Sequence, residues 1–376
     1  MAPSARGVAL RALVEVGAGG RANAVLARLL DGCGLDRRDR ALATELVYGT
    51  CRMQRACDWL VDRHARGRTE PDVRAALRLG AYQLGWTRVP RHAAVAATVD
   101  EVPGPGRSVV NAVLRRVADD LGRGPVRWPD PATALSYPDW IVARLGADLG
   151  PGPARAALEA MNVPAVVTER PDGYAQDPAS QMVAAHVGAR PGERVADLCA
   201  APGGKATALA AAGARVVAVE VDPDRAGVLA GNARRHGAGR VATVVGDAAC
   251  PPLAPGRFDR VLVDAPCSGL GVLRRRPDAR WRVRPADIPR LAALQRRLLD
   301  AAMALVCPGG VLAYSVCTLA REETAGVDRW LAEAHPDLVP LPPPGAPWVP
   351  AGRGGLLLPQ AAGSDGMFVV VLRRPA

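Results

Sequence analysis

Two cysteines stand just past the ends of apolar runs, in Val261-Leu262-Val263-Asp264-Ala265-Pro266-Cys267-Ser268-Gly269 and in Gly310-Val311-Leu312-Ala313-Tyr314-Ser315-Val316-Cys317-Thr318. Ligands of parallel α/β sheets bind beyond the carboxyl ends of the strands. Two thiols delivered to that edge, one beside a carboxylate, point to covalent nucleophilic chemistry. A cysteine taken singly is as often a small buried apolar residue. Asp264, the proline-stiffened turn and Ser268-Gly269 tilt Cys267 towards function. Cys199, Cys250 and Cys307 lack such company and read, by their surroundings alone, as structural.

A third segment, Asp197-Leu198-Cys199-Ala200-Ala201-Pro202-Gly203-Gly204-Lys205, follows another apolar run. Its glycines let backbone approach a ligand closely, and the next helix offers free N–H groups. It is neither a G-x-G-x-x-G fingerprint nor a Walker loop, so an ordinary glycine turn competes with this reading. Glu220, ending Val216-Val217-Ala218-Val219-Glu220, weakens that alternative, because it falls about 20 residues on, where a ribose-binding acid is expected. Asp247 ends the next run, Val245-Gly246-Asp247, and suits an adenine amino group. Three acids at consecutive strand ends predict a nucleoside cofactor. Lys205 is the only lysine in the chain, every other basic side chain being arginine. Arginine does not replace lysine where a compact point charge must fit beside a ligand.

These residues need a sheet to hold them. Strands are predicted at 194–198, 215–220, 241–245, 259–264, 310–315 and 367–372, with helices at 205–212, 223–236 and 287–306 between them. That alternation predicts α/β architecture with a mostly parallel, doubly wound sheet. The Pro-rich run 340–350 reads as a loop before a final hairpin. Residues 6–120 show only helical periodicity, as in Val8, Leu10, Leu13, Val14 and Val110, Val113, Leu114, Val117, so an all-helical domain precedes the sheet. The expected division is 1–122 helical, 123–185 linker and small subdomain, and 186–376 catalytic.

The 376 residues suit two domains, and 49% apolar residues suffice for both cores. No apolar stretch spans a bilayer, and the first residues do not read as a signal peptide, so a cytoplasmic protein without a membrane partner is expected. Eight cysteines without a C-x-x-C pair, beside five histidines, predict no metal site. A net charge of +11 favours a polyanionic partner such as RNA, against a compositional bias to arginine. The cluster Arg274, Arg275, Arg276 and Arg280, with Trp281 beside it, suits phosphates and a stacked base; its ordinary alternative is a solvated loop.

Taken together, these motifs resemble the RNA 5-methylcytosine methyltransferases, in the bacterial 16S ribosomal RNA cytosine-5 group known as Sun or RsmB. The carriers are Gln176-Asp177-Pro178-Ala179-Ser180-Gln181, the blocks 197–205 and 264–269, Arg275-Arg276-Pro277-Asp278, the Cys317 segment and Asp365-Gly366-Met367-Phe368. In the helical half, the segments 41–50, 78–84 and 110–115 resemble a NusB-like RNA-binding module. The resemblance implies a Rossmann-like sheet binding S-adenosylmethionine and methylation of carbon 5 of a cytosine in 16S rRNA. It makes Cys317 the nucleophile that adds to carbon 6, Cys267 the aid to product release, and Asp264 the residue orienting the base. It puts Cys199, Ala200, Ala201, Pro202, Gly203, Gly204, Lys205, Glu220, Arg225, Asp247 and Asp264 around the cofactor. In DNA cytosine-5 enzymes the Pro-Cys cysteine itself attacks, so the second cysteine points to RNA. Three departures are Val316 before the nucleophile, Thr324 after Glu323, and a short span between Asn162 and Gln176 where the family carries a longer RNA-contacting segment. Other readings are the same chemistry on tRNA, C-methylation of a small molecule, or a non-catalytic RNA-binding assembly factor. A monomer is expected.

Overall fold

The computed structural model describes residues 4–67 and 69–376, leaving Met1–Pro3 at the predicted non-signal terminus outside the described residues. It divides into two compact units, Met1–Ala143 with Leu273–Arg282, and Arg144–Val272 with Val283–Ala376.

The first unit is helical: α1 (Ala5–Gly17), α2 (Ala22–Leu30), α3 (Arg37–Arg52), α4 (Gln54–Asp62), α5 (Pro71–Trp86), α6 (Arg91–Val99), α7 (Gly106–Gly122) and α8 (Pro131–Leu135). Side-chain caps start several of these helices. Ser4 accepts from the Gly7 amide, Asp36 from Asp39 and Asp130 from Thr133, each satisfying an N–H that the helix leaves open. Val8, Leu46, Leu77, Leu79 and Leu114 are wholly buried in its core, as their spacing predicts.

The unit ends later than residue 122. Arg55 on α4 ties in the stretch around α8, donating to Thr133 Oγ1 at 2.9 Å and to the Tyr137 carbonyl at 2.8 Å. A second stretch, 273–282, completes the unit and includes α14, defined below. The expected linker 123–185 is therefore shared between the two units, with Ala143 as the division.

Across that division runs α9 (Asp139–Leu149), followed by α10 (Pro151–Ala160) and α11 (Pro178–Val187). The short span before Gln176 carries no helix or strand, only the bridge of Glu169 with Ala175, and Val166 and Val167 are 81% and 76% exposed in it. The sheet unit then alternates β1 (Arg194–Leu198), α12 (Gly204–Ala211), β2 (Arg215–Glu220), α13 (Pro223–His236), β3 (Val241–Val245) and β4 (Phe258–Asp264). After α14 (Ala279–Arg282) come α15 (Asp287–Leu305), β5 (Val306–Val316), α16 (Ala325–Ala334), β6 (Val339–Pro340), β7 (Val349–Ala351), β8 (Gly354–Leu357), α17 (Pro359–Ala362) and β9 (Met367–Arg373).

The strand order is β3-β2-β1-β4-β5-β9-β8-β7, with β6 on β9. Pairing is parallel from β3 to β5 and antiparallel from β5 onwards. Strands β1, β4 and β5 are apolar and buried almost throughout, as a sheet covered on both faces requires. The last strand, β9, where the predicted final hairpin ends, pairs antiparallel with β8, which pairs in turn with β7, and β6 and the start of β7 lie at the two ends of the predicted Pro-rich loop. No helix among the described residues is long and apolar enough to cross a membrane. Among them, no group of three or more His, Cys, Asp or Glu could hold a metal ion.

Candidate active site

The chain order reverses between β1 and β4: β2 and β3 extend to one side of β1, β5 to the other side of β4. Beyond the carboxyl ends of β1 and β4 lies the switch-point crevice where doubly wound sheets take their ligands. Asp197 lies one residue before the end of β1, Asp264 ends β4, and Glu220 ends β2.

The Asp197–Lys205 loop turns sharply there. Cys199 has φ 65° and Gly203 φ 105°. Gly203 has no alternative: besides its left-handed backbone, a Cβ would meet Leu229 Cδ1 at 2.8 Å. Neighbouring side chains pin the loop. Arg225 Nη2 donates to the Ala201 carbonyl at 2.9 Å, Asn232 Nδ2 to that of Pro202 at 2.8 Å, and Arg170 Nη1 to that of Gly204 at 2.7 Å. Arg170 is nearly buried and also reaches Gln176, Thr207 and Asp172. It went unmarked in the sequence because a lone arginine in an extended stretch carries no pattern.

Three carboxylates face this crevice in different states. Asp197 is wholly buried and neither oxygen has a hydrogen-bond partner among the described residues. Burial, with repulsion from Asp264, pushes its pKa up to about 8. Glu220 is 1% exposed and accepts from the Asp222 amide at 3.2 Å and from the Ala201 amide and Arg225 Nη1, both at 3.3 Å. Asp247, past the end of β3, is exposed and accepts from the Ala249 amide at 2.8 Å.

Because β4 and β5 are neighbours in register, with Asp264 opposite Ser315, the two cysteine loops emerge side by side. Cys267 Sγ and Cys317 Sγ are 3.4 Å apart. Ser315 Oγ donates to Asp264 Oδ1 at 2.6 Å, and Lys205 Nζ to Asp264 Oδ2 at 2.7 Å. The sole lysine thus crosses from the cofactor-side loop to the cysteine side. Burial acts to lower its pKa, but Asp264 and Cys317 outweigh that and hold it above the ordinary value.

The thiols diverge. The hydrogen bond from Cys267 lowers the pKa of Cys317, aided by Lys205 against burial and Asp264. The same bond, with burial, raises Cys267 well above an ordinary thiol. The arrangement therefore favours a Cys317 thiolate receiving the Cys267 S–H.

A buried polar cluster fixes this pair from behind. Glu323 is 0% exposed and accepts from the Ser268 amide at 2.9 Å, the Ser268 hydroxyl, Gln295 Nε2 at 3.1 Å and the Thr318 hydroxyl at 3.2 Å. Gln295 Nε2 also donates to the Pro266 carbonyl at 2.9 Å, and Tyr314 Oη to Gln295 Oε1 at 3.0 Å. Ser268 and Thr318 each follow one cysteine, so a single carboxylate locks both loops. On the other side, the Gly271 amide donates to the Cys317 carbonyl at 3.0 Å, and a Cβ at Gly271 would meet the Gly366 carbonyl oxygen at 2.2 Å. Sequence reasoning noted Glu323 only as part of a motif; Gln295, one polar residue in the amphipathic α15, gave no signal.

The arginine cluster requires a correction. Arg280 is 0% exposed and belongs to the helical unit, where it donates to the carbonyls of Arg52 at 3.0 Å and Ser136 at 3.1 Å. Its guanidinium lies 3.8 Å from the Tyr137 ring centroid, and burial lowers its pKa to about 10. Arg274 is 7% exposed. Neither side chain is open to RNA phosphates, and Arg280 holds the inserted stretch in the helical core. Arg275 and Arg276 remain exposed.

Comparison with known proteins bears on both units. Residues 184–373 match the family model described as 16S rRNA methyltransferase RsmB/F, and residues 3–119 match the NusB family. The chain is 39% identical to ribosomal RNA small subunit methyltransferase B of Thermus thermophilus, over 98% of this chain and 97% of that one. It is 34% identical to the protein of that name from Sodalis glossinidius, over 89% of each. Among solved structures, PH0851 matches the whole of both chains with a TM-score of 0.79 at 22% identity. A methyltransferase homologue from Pyrococcus horikoshii matches 65% of this chain and 97% of its own with a TM-score of 0.54 at 24% identity. These likenesses agree in the fold.

Proposed function

This chain belongs to the RsmB/F family of 16S rRNA methyltransferases, an S-adenosylmethionine-dependent family, and from that premise we propose that it methylates carbon 5 of a cytosine in 16S rRNA through a covalent cysteine adduct. The observation that carries the reading is the pair Cys267–Cys317 at 3.4 Å, flanked by the Lys205–Asp264 ion pair at 2.7 Å.

The crevice fits the cofactor. An unpartnered buried carboxylate at Asp197, the Gly203 turn, and acids ending β2 and following β3 offer the polar contacts that a nucleoside and an amino-acid group need. Residues 199–205, Glu220, Arg225, Asp247 and Asp264 would hold it. S-adenosylmethionine supplies an electrophilic methyl group when bound.

The protein's own residues do the rest. The Cys317 thiolate adds to carbon 6 of an extruded cytosine, forming a C–S bond and making carbon 5 nucleophilic. Asp264 orients the base edge, and Lys205 offsets charge developing in the ring. Once carbon 5 carries the methyl group, its proton passes to water, the freed electron pair re-forms the C5=C6 double bond as the C–S bond breaks, and the Cys267 S–H stabilises the departing Cys317 thiolate. A module that only bound RNA would need none of these groups.

The test is a Cys267→Ala variant incubated with unmodified 16S rRNA and S-adenosylmethionine, then run on a denaturing gel. The expected result is a covalent protein–RNA band that vanishes in Cys267→Ala/Cys317→Ala. Trapping by Cys317→Ala instead would reverse the roles. No trapping by either variant, with cofactor binding intact, would remove 16S rRNA as the substrate and favour tRNA or a small molecule.

A further inference from the structure

The opposite edge of the sheet carries a feature that the reaction does not use. Arg240 immediately precedes β3, Arg215 and Arg194 begin β2 and β1, and Arg257 immediately precedes β4. Since the sheet order is β3-β2-β1-β4, these arginines form one row across four adjacent strands. Arg194 and Arg215 are direct register partners, and the Val216 amide donates to the Arg240 carbonyl at 2.8 Å. All four are exposed and line a cleft of about 810 Å³.

Like charges directly opposite on neighbouring strands destabilise a sheet. Among the described residues, Arg194 has an ion-pair partner in Asp259 at 3.9 Å, and Arg215, Arg240 and Arg257 have none. A general bias to arginine would scatter such residues over the surface. It does not explain one at every consecutive strand start.

We propose that this row is a second RNA-binding surface that grips phosphates of the substrate outside the segment entering the active site. It rests on the reading that the substrate is RNA. With strands about 4.8 Å apart, four starts span about 15 Å, a length over which an RNA strand presents a few successive phosphates. The guanidinium fork matches phosphate oxygens in pairs. The row lies at the amino ends of the strands whose carboxyl ends carry Asp197, Glu220 and Asp264, so it cannot hold the reacting base. RNA reaching both edges must be large and folded.

The triple variant Arg215→Gln/Arg240→Gln/Arg257→Gln tests this on the full chain, by filter binding of a 16S rRNA fragment over a salt series. The expected result is affinity about tenfold weaker at moderate salt and a log–log salt slope shallower by about 2–3, one counterion release lost per arginine. Methylation of a short target hairpin should be unchanged, and the corresponding triple lysine variant should recover most of the slope. An unchanged affinity and slope would overturn the inference. So would displacement by polyglutamate as readily as by homopolymer RNA of equal charge, which would mark an acidic-protein surface. The two readings separate cleanly: methylation of RNA with no effect of the row sinks only this inference. Row-dependent RNA binding without RNA methylation sinks only the proposed function, and absence of RNA binding in the unaltered protein sinks both.

Discussion

Two thiols 3.4 Å apart cannot both ionise freely, because each thiolate repels the next. Here the hydrogen bond assigns the charge to Cys317 and the proton to Cys267. The sign of the pH effect follows. A lowered pKa means that Cys317 is thiolate at a pH where an ordinary thiol is not, and removing the donor must raise it. The pH midpoint for alkylation of Cys317 should therefore lie below that of a free thiol and move upward in Cys267→Ala, followed by mass spectrometry of the labelled peptide. A midpoint that stays put would mean that Cys267 is not the donor. At this scale the sequence was informative where chemistry forced an unusual choice: the two cysteines beside strand ends, and one lysine in a chain of arginines. The partnership of Lys205 with Asp264 was not visible, because it depends on β1 and β4 being neighbours, which a linear spacing does not state.

Among the elements, the strands of the parallel half fell where apolar runs alternate with helical periodicity, and β1, β2 and β3 coincide with their predicted ranges. β5 begins at Val306 rather than 310, because the chain passes from α15 straight into the strand ahead of Pro308-Gly309. The stretch 273–282 misled, since an arginine-rich segment looks the same whether its charges meet solvent or buried carbonyls. Arg280 donates to the backbone carbonyls of Arg52, Ser136 and Leu273 inside the helical unit, and removing it takes that donor from each of them. Arg280→Met should cost the helical unit about 3 kcal/mol, read from the shift in its urea transition. Arg276→Gln, on an exposed side chain, should stay within about 0.5 kcal/mol of the parent. Equal melting of the two variants would return Arg280 to the surface role that its neighbours suggested.

For the whole molecule, the decisive fact is that the helical unit is made of two stretches of chain, up to Ala143 and again from Leu273 to Arg282. The second stretch supplies Trp281, whose Nε1 donates to the Cys51 carbonyl at 2.6 Å, and Asp278, which accepts from the Ala22 amide at 3.3 Å. No composition shift marks this exchange, so the sequence suggested a simple succession of domains. A fragment ending at Ala143 should melt at a lower temperature than the same fragment mixed with a peptide of residues 273–282. Identical melting with and without the peptide would show that the insertion is dispensable.

The order of synthesis adds a consequence of that insertion. When Ala143 has left the ribosome, about 140 more residues must follow before Arg280 and Trp281 can dock. At about 5–20 residues per second that is roughly 7–30 seconds. For that interval the nascent helical bundle holds an open polar socket at Arg52, Ser136 and Tyr137, closed only when the sheet that will carry the chemistry is already half made.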